Sequence, residues 1–263
     1  MMHTIQLPLA TSLNALVRCC ATILLVAAVS GCVTETTGGL PAPAEDLERI
    51  DAQLDLARGY IEGGNIPRAK MSLNRALEID PGHVEARVLY AVVLQSENEW
   101  ELAEESYKIA LQRDATNPQA LNNYGRFLYG RERHGEAVEV LQLLVQNTGY
   151  RARAQAFENL GLALIAVDRQ NEAHAAFTRA LELSFRQPRS SLELAAIEVE
   201  RSNYAAARSH LISYRTYARP SARSLCLEIQ MHTALNNADE VASNTLALKN
   251  LFPQQAAQCL AKI

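Results

Sequence analysis

The chain is short of cationic excess, of aromatic rings and of clustered metal ligands, and each shortage closes off a class of function. Lysine and arginine number 25 against 29 aspartates and glutamates, a formal net charge of -4. That balance gives no reason to expect a nucleic-acid partner, which calls for a basic face. Aromatic residues make up 6% of the chain while hydrophobic residues reach 48%, with alanine and leucine abundant. Strong helix formers with few strand-forming rings favour helices over strands. The histidines (His3, His83, His134, His174, His210 and His232) are scattered, and no His/Cys cluster stands at metal-ligand spacing. No glycine-rich phosphate loop, nucleophile elbow or HExxH motif is present. These gaps argue against an enzyme, a cofactor, a metal site and a small-molecule substrate. Glu101, Glu104 and Glu105 read as a solvated helix face. The apolar run from Ala21 to Val29 is also short of the ~20 residues a bilayer-spanning helix needs.

What is present begins with that run. Arg18 is the only lysine or arginine before it, and ILLVAAVSGCVTETTGG (Ile23 to Gly39) follows. A charged start, a short apolar stretch and a small-residue exit are the marks of a secretory signal. The exit, Val29-Ser30-Gly31-Cys32, resembles the bacterial lipobox. That resemblance implies diacylglyceryl attachment at Cys32, which becomes the new N-terminus, and an anchor worth about 0.8 kcal/mol per buried methylene. Val33 is not the aspartate that usually signals inner-membrane retention, so the resemblance implies an outer-membrane lipoprotein facing the periplasm. Thr34 to Ala44 is small, polar and aperiodic, with Gly and Pro, and reads as a flexible tether. The expected division is a signal over 1–31, a lipidated tether over 32–46 and a folded domain over 47–263. In an oxidising compartment, Cys226 and Cys259 are left as an even pair and a disulfide candidate.

From Ile50 onward the chain repeats itself about every 34 residues, the tetratricopeptide period. Asp55 to Pro81 and Glu158 to Leu183 show small residues at matching offsets and an Ala-Leu pair near the end. The expected architecture is all-α: an α-solenoid, or tetratricopeptide repeat superhelix, of about six helix-turn-helix units, the fifth weaker and the sixth degenerate. Helices that cross closely need small residues, here Gly125 and Gly161 in first helices and Ala69, Ala103, Ala137, Ala173 and Ala207 in second helices. Gly63-Gly64-Asn65 and Asn236-Asn237 suit the turn within a repeat. The third-to-fourth spacing is about two residues longer, which places an insertion in Asn147-Thr148-Gly149-Tyr150. Trp100 is expected to pack at such a turn.

First helices of such repeats line a concave groove. By that register Leu54, Arg58 and Ile61 of the first repeat and Val88, Leu89 and Val92 of the second face the groove. Asn123 and Arg126 of the third and Asn159 of the fourth join them. Leu54, Ile61, Val88, Leu89 and Val92 would form an exposed apolar patch, which usually marks a partner site. Asn123 and Asn159, at equivalent positions, could bond the backbone of an extended peptide, or merely their own helices.

A lipobox followed by about six repeats resembles the type IV pilus biogenesis/stability lipoproteins, the PilF/PilW pilotin family. NPQALNNYGRFLYGRERHGEAVEVLQ (Asn117 to Gln142) is similar to that family's third repeat, and AFENLGLAL (Ala156 to Leu164) to its fourth. The resemblance implies binding to the outer-membrane secretin subunit and assembly of its multimeric pore, hence pilus extrusion and twitching motility. It attributes partner binding chiefly to the first repeats. A periplasmic adaptor for envelope enzymes or outer-membrane protein assembly is the alternative scaffold reading.

Overall fold

The structure, a computed structural model, describes residues 44–261. The lipobox-like segment with Cys32 and most of the expected tether lie outside the described residues. The described chain is all helix and loop and forms six consecutive pairs with one extra helix. The pairs are α1 (Ala44–Glu62) with α2 (Ile66–Ile79), α3 (Val84–Ser96) with α4 (Trp100–Arg113), and α5 (Pro118–Gly130) with α6 (His134–Gln146). They continue with α7 (Arg153–Ala166) and α8 (Gln170–Leu183), α9 (Pro188–Glu200) and α10 (Tyr204–Tyr217), and α11 (Ala222–Ala234) and α12 (Ala238–Leu251). Helix α13 (Pro253–Leu260) ends the array. The sixth repeat, degenerate in sequence, is a complete pair. Helix α1 starts at Ala44, inside the segment expected to be tether. Glu45 and Asp46 in its first turn favour a helix start there, because negative charge complements the amino end of the helix dipole.

The turn inside each repeat uses one device six times. Gly64, Asn98, Glu132, Asp168, Ser202 and Asn236 all have a left-handed backbone, with φ between 55° and 70°. The following N–H bonds back five residues in every case, as in Asn65 N to Tyr60 O (2.8 Å) and Arg133 N to Leu128 O (3.0 Å). This satisfies carbonyls that the ending helix leaves without partners. Four helix starts are capped by side chains: Asn65 accepts from Arg68 N, His83 from Ala86 N, Asn117 from Ala120 N, and Ser221 exchanges bonds with Ser224. Proline in the first turn of α2, α5, α9 and α13 pre-sets the helical φ without losing a needed donor.

Packing follows the small-residue pattern. Ala69, Ala103, Ala137, Ala173 and Ala207 are fully buried. A Cβ on Gly125 would lie 2.7 Å from Leu141, and one on Gly161 would lie 2.5 Å from the Phe177 ring, so both first helices sit directly on the second helix of their own repeat. Tyr107, Tyr124 and Phe127 form a buried aromatic group between repeats 2 and 3, with centroids 5.7–6.2 Å apart. The loop from Gln146 to Arg153 is two residues longer than those from Arg113 to Pro118 and Leu183 to Pro188, at the place the spacing required. Trp100 opens α4 half-buried, with the Arg131 guanidinium 4.8 Å above its ring. Among the described residues no helix is long and apolar enough to cross a membrane.

Candidate functional site

Two rows of residues run along the first helices, one residue apart, and their fates differ. Leu54, Val88, Asn122, Glu158, Leu192 and Cys226 occupy one repeat position and form the seam between successive first helices. Leu54 and Val88 are 1% and 4% exposed. Neither belongs to an open groove, and the sequence-based patch is corrected there. A first helix packs against its own second helix and against both neighbouring repeats, so only a narrow stripe stays open. One residue is a 100° rotation, enough to move a side chain from stripe to seam. Bonds along the row show the seam directly. Asn122 accepts from Asn159 Nδ2 in the next repeat (3.2 Å), and Glu158 accepts from Ser190 N and Oγ (3.1 and 2.8 Å). Cys226 is disulfide-bonded to Cys259 of α13. Helix α13 thus takes the place of a seventh first helix and covers the seam of repeat 6.

The open stripe is three residues wide. Its outer row is Asp51, Glu85, Gln119, Gln155, Arg189 and Arg223, all exposed. Its sign changes from acidic through neutral to basic along the array. The middle row begins Asp55, Leu89, Asn123, Asn159 and Glu193, and the inner row Arg58, Val92, Arg126 and Leu162. Leu89, Val92 and Ile61 are half-buried, and Ile61 and Leu89 lean on the core of the first repeats. Leu162 is buried at 8% exposure and forms floor rather than rim. Of the apolar patch, only Leu89, Val92 and Ile61 remain accessible. The asparagines do not act as a matched pair: Asn123 Nδ2 donates to Gln119 O of its own helix (2.9 Å), while Asn159 bonds across the seam to Asn122.

Charge on the stripe is mostly neutralised in place. Arg58 bridges Asp55 (2.6 Å) and Glu85 of the next repeat, and the neighbouring Asp55 carboxylate holds its pKa above the usual value. Arg223 grips the buried Glu193 with two bonds of 2.5 and 2.6 Å. Arg126 and Arg189 differ: neither has a carboxylate within ion-pairing distance among the described residues. Both line a hollow of about 230 Å³ with Tyr129, Asn159, Leu162 and Leu141. A second hollow of about 500 Å³ lies beside the disulfide, between α9, α11 and α13. A third, of about 530 Å³, opens between α1 and α2 at Asp46, Arg49, Gln53 and Arg75, away from the stripe.

Glu104, expected on a solvated face, is instead a joint between repeats 2 and 3. It accepts from Arg133 (2.6 Å) and Tyr124 Oη (3.1 Å) and pairs with Lys108 at 2.8 Å. The Arg133 bond is the main reason its pKa falls to about 2. The seam row and the Glu104 joint were the features missed in sequence. The signal for the first was the repeat register: Leu54 and Val88 share a position with Glu158 and Cys226, whose partners lie two helices on, in α9 and α13.

Paired helices stacked in register, with an open stripe on the first helices, define a tetratricopeptide repeat scaffold. The tetratricopeptide repeat model matches residues 54–118 and 93–157. The chain is 37% identical over 238 residues to the type IV pilus assembly protein PilF of Pseudomonas aeruginosa, covering 90% of this chain and 94% of that one. The solved structure of Pseudomonas aeruginosa PilF superposes with a TM-score of 0.78 over 83% of this chain and all of PilF. PilW, a widely conserved type IV pilus biogenesis factor, follows at 25% identity and a TM-score of 0.69 over 81% of this chain and 98% of PilW. The chain belongs to the PilF/PilW family of type IV pilus biogenesis factors.

Proposed function

We propose that the protein is a pilotin, a non-catalytic lipoprotein that binds the type IV pilus secretin subunit and promotes its localisation and multimerisation. The observation that carries this reading is the relationship to PilF over nearly the whole chain. The accessible stripe on the first helices supports it by offering a continuous surface for a partner segment. Acylation at Cys32 would hold the domain at the periplasmic face of the outer membrane. The reading requires no catalytic step, only that binding energy favours the assembled secretin over its free subunit.

Deleting the gene tests this. Secretin multimer, seen as the slow-migrating band on mild denaturing gels, should fall at least tenfold while porin levels stay constant. Multimer at the parental level in the deletion strain contradicts the reading. Cys32→Ala should move the protein from the membrane to the soluble fraction, and a membrane-bound variant would remove the anchor from the account.

A further inference from the structure

We infer that the hollow between α5, α7 and α9 receives an acidic side chain on an extended segment of the partner, read by Arg126 and Arg189. This rests on the proposal that the stripe holds the partner, and it names the chemistry of the segment held. A guanidinium stays charged at any physiological pH and wants planar, bidentate acceptors. On the same stripe Arg58 and Arg223 already have theirs, in Asp55 with Glu85 and in Glu193. Arg126 comes from repeat 3 and Arg189 from repeat 5, and both face one hollow without a carboxylate of this chain. Two internal carboxylates on the same helices are already committed: Glu158 is buried and bonded to Ser190 N, Ser190 Oγ and Gln155, and Glu193, one turn along α9 from Arg189, is buried and held by Arg223. Two like charges beside one cavity disfavour each other, and an incoming carboxylate relieves both at once.

The rest of the hollow fits a short acidic side chain. Leu141 and Leu162 give an apolar floor for its methylenes, and Tyr129 and Asn159 give polar groups at the rim. Its volume of about 230 Å³ accommodates one residue, not a folded element. The stripe continues past the hollow in both directions, over Leu89 and Val92 on one side and towards Arg223 and Gln230 on the other. A chain laid along it passes through, so the carboxylate belongs to a side chain and not to a terminus.

Random dodecapeptides displayed on phage, with both ends blocked by fusion, provide the probe. They are selected on the immobilised mature protein and on the Arg126→Gln/Arg189→Gln variant, whose helicity is checked by circular dichroism. Selected peptides should share an internal Asp or Glu. Changing that residue to Asn or Gln, or using the variant, should weaken binding roughly tenfold per ionic contact removed. Arg126→Lys/Arg189→Lys should recover part of the loss, and 0.5 M salt should weaken the wild type only. Peptides without a shared acid, or binding equal on wild type and variant, overturn the inference. Full secretin capture by the folded variant overturns it and leaves the pilotin reading standing. Acid-dependent peptides from a protein that captures no secretin keep the inference and remove the pilotin reading.

Discussion

Replacing Gly161 by alanine puts the packing argument to a quantitative test, because two opposing terms can be weighed in advance. Alanine is favoured over glycine in a helix interior by about 1 kcal/mol. The added methyl, however, would sit 2.5, 2.7 and 2.7 Å from three atoms of the Phe177 ring. That ring is fully buried and planar, so it has no flexible end to move aside. Overpacking of this kind costs about 1–3 kcal/mol or somewhat more. With contacts this short the steric term exceeds the gain, and Gly161→Ala should destabilise by up to about 2 kcal/mol, with a Tm lower by up to roughly 8 °C for a chain of this size. Gly130→Ala is the control: nothing lies within 4 Å of its Cβ position, so it should be neutral or stabilised by up to about 1 kcal/mol. Gly125→Ala should fall between them, since it meets Leu141, whose side chain can rotate. Urea titration followed by far-ultraviolet circular dichroism gives the three values, and Gly161→Ala/Phe177→Leu should recover most of the loss. A Gly161→Ala protein as stable as Gly130→Ala would refute the close contact between α7 and α8.

Three further outcomes concern a joint between repeats, a turn within one, and the disulfide. Glu104 has its pKa depressed to about 2, below the unfolded value, so the stability it contributes is present above pH ~4.5 and is lost as pH falls towards 2. Glu104→Gln should cost about 1–3 kcal/mol at neutral pH and flatten that acid limb, and an unchanged limb would assign it to other carboxylates. Glu132 holds a left-handed φ of 61° that its Cβ disfavours, so Glu132→Gly should stabilise by about 0.5–1 kcal/mol in the same urea titration, and a loss would mean that the Glu132 side chain contributes more than its strain costs. The disulfide spans a sequence separation of 33, which loop-closure entropy values at about 3–4 kcal/mol. In Cys226→Ser, hydrogen exchange should speed up in α11 to α13 and stay unchanged in α3 to α8; uniform acceleration would show that the array unfolds as one unit.

How far the fold was legible can be seen in individual residues. The period, the small residues at Gly125 and Gly161, and the two-residue insertion after Gln146 all survive in sequence because steric and spacing constraints repeat in every unit. The sixth repeat was faint because its side chains are atypical, yet its backbone keeps the same left-handed turn at Asn236. Glu132 and Ser202 hold that conformation too, and neither residue type announces it. The groove was legible as a set of helices but not in phase. Leu54 and Val88 look like surface apolar residues if a first helix has one buried face, whereas stacking on both sides buries a much wider arc. The pairings of Glu104 with Arg133 and of Glu193 with Arg223 join residues about 30 apart, a distance at which charge patterning within one helix gives no signal.

The central claim, that the stripe on the first helices is the face that holds the partner, is tested most directly by hydrogen-exchange footprinting. The protein is measured alone and with detergent-solubilised secretin from the same organism. Added protection should fall on α3, α5, α7 and α9, strongest around Arg126 and Arg189, with the second helices unchanged. Protection confined to α4, α6 and α8, or no protection at saturating secretin, would contradict the account.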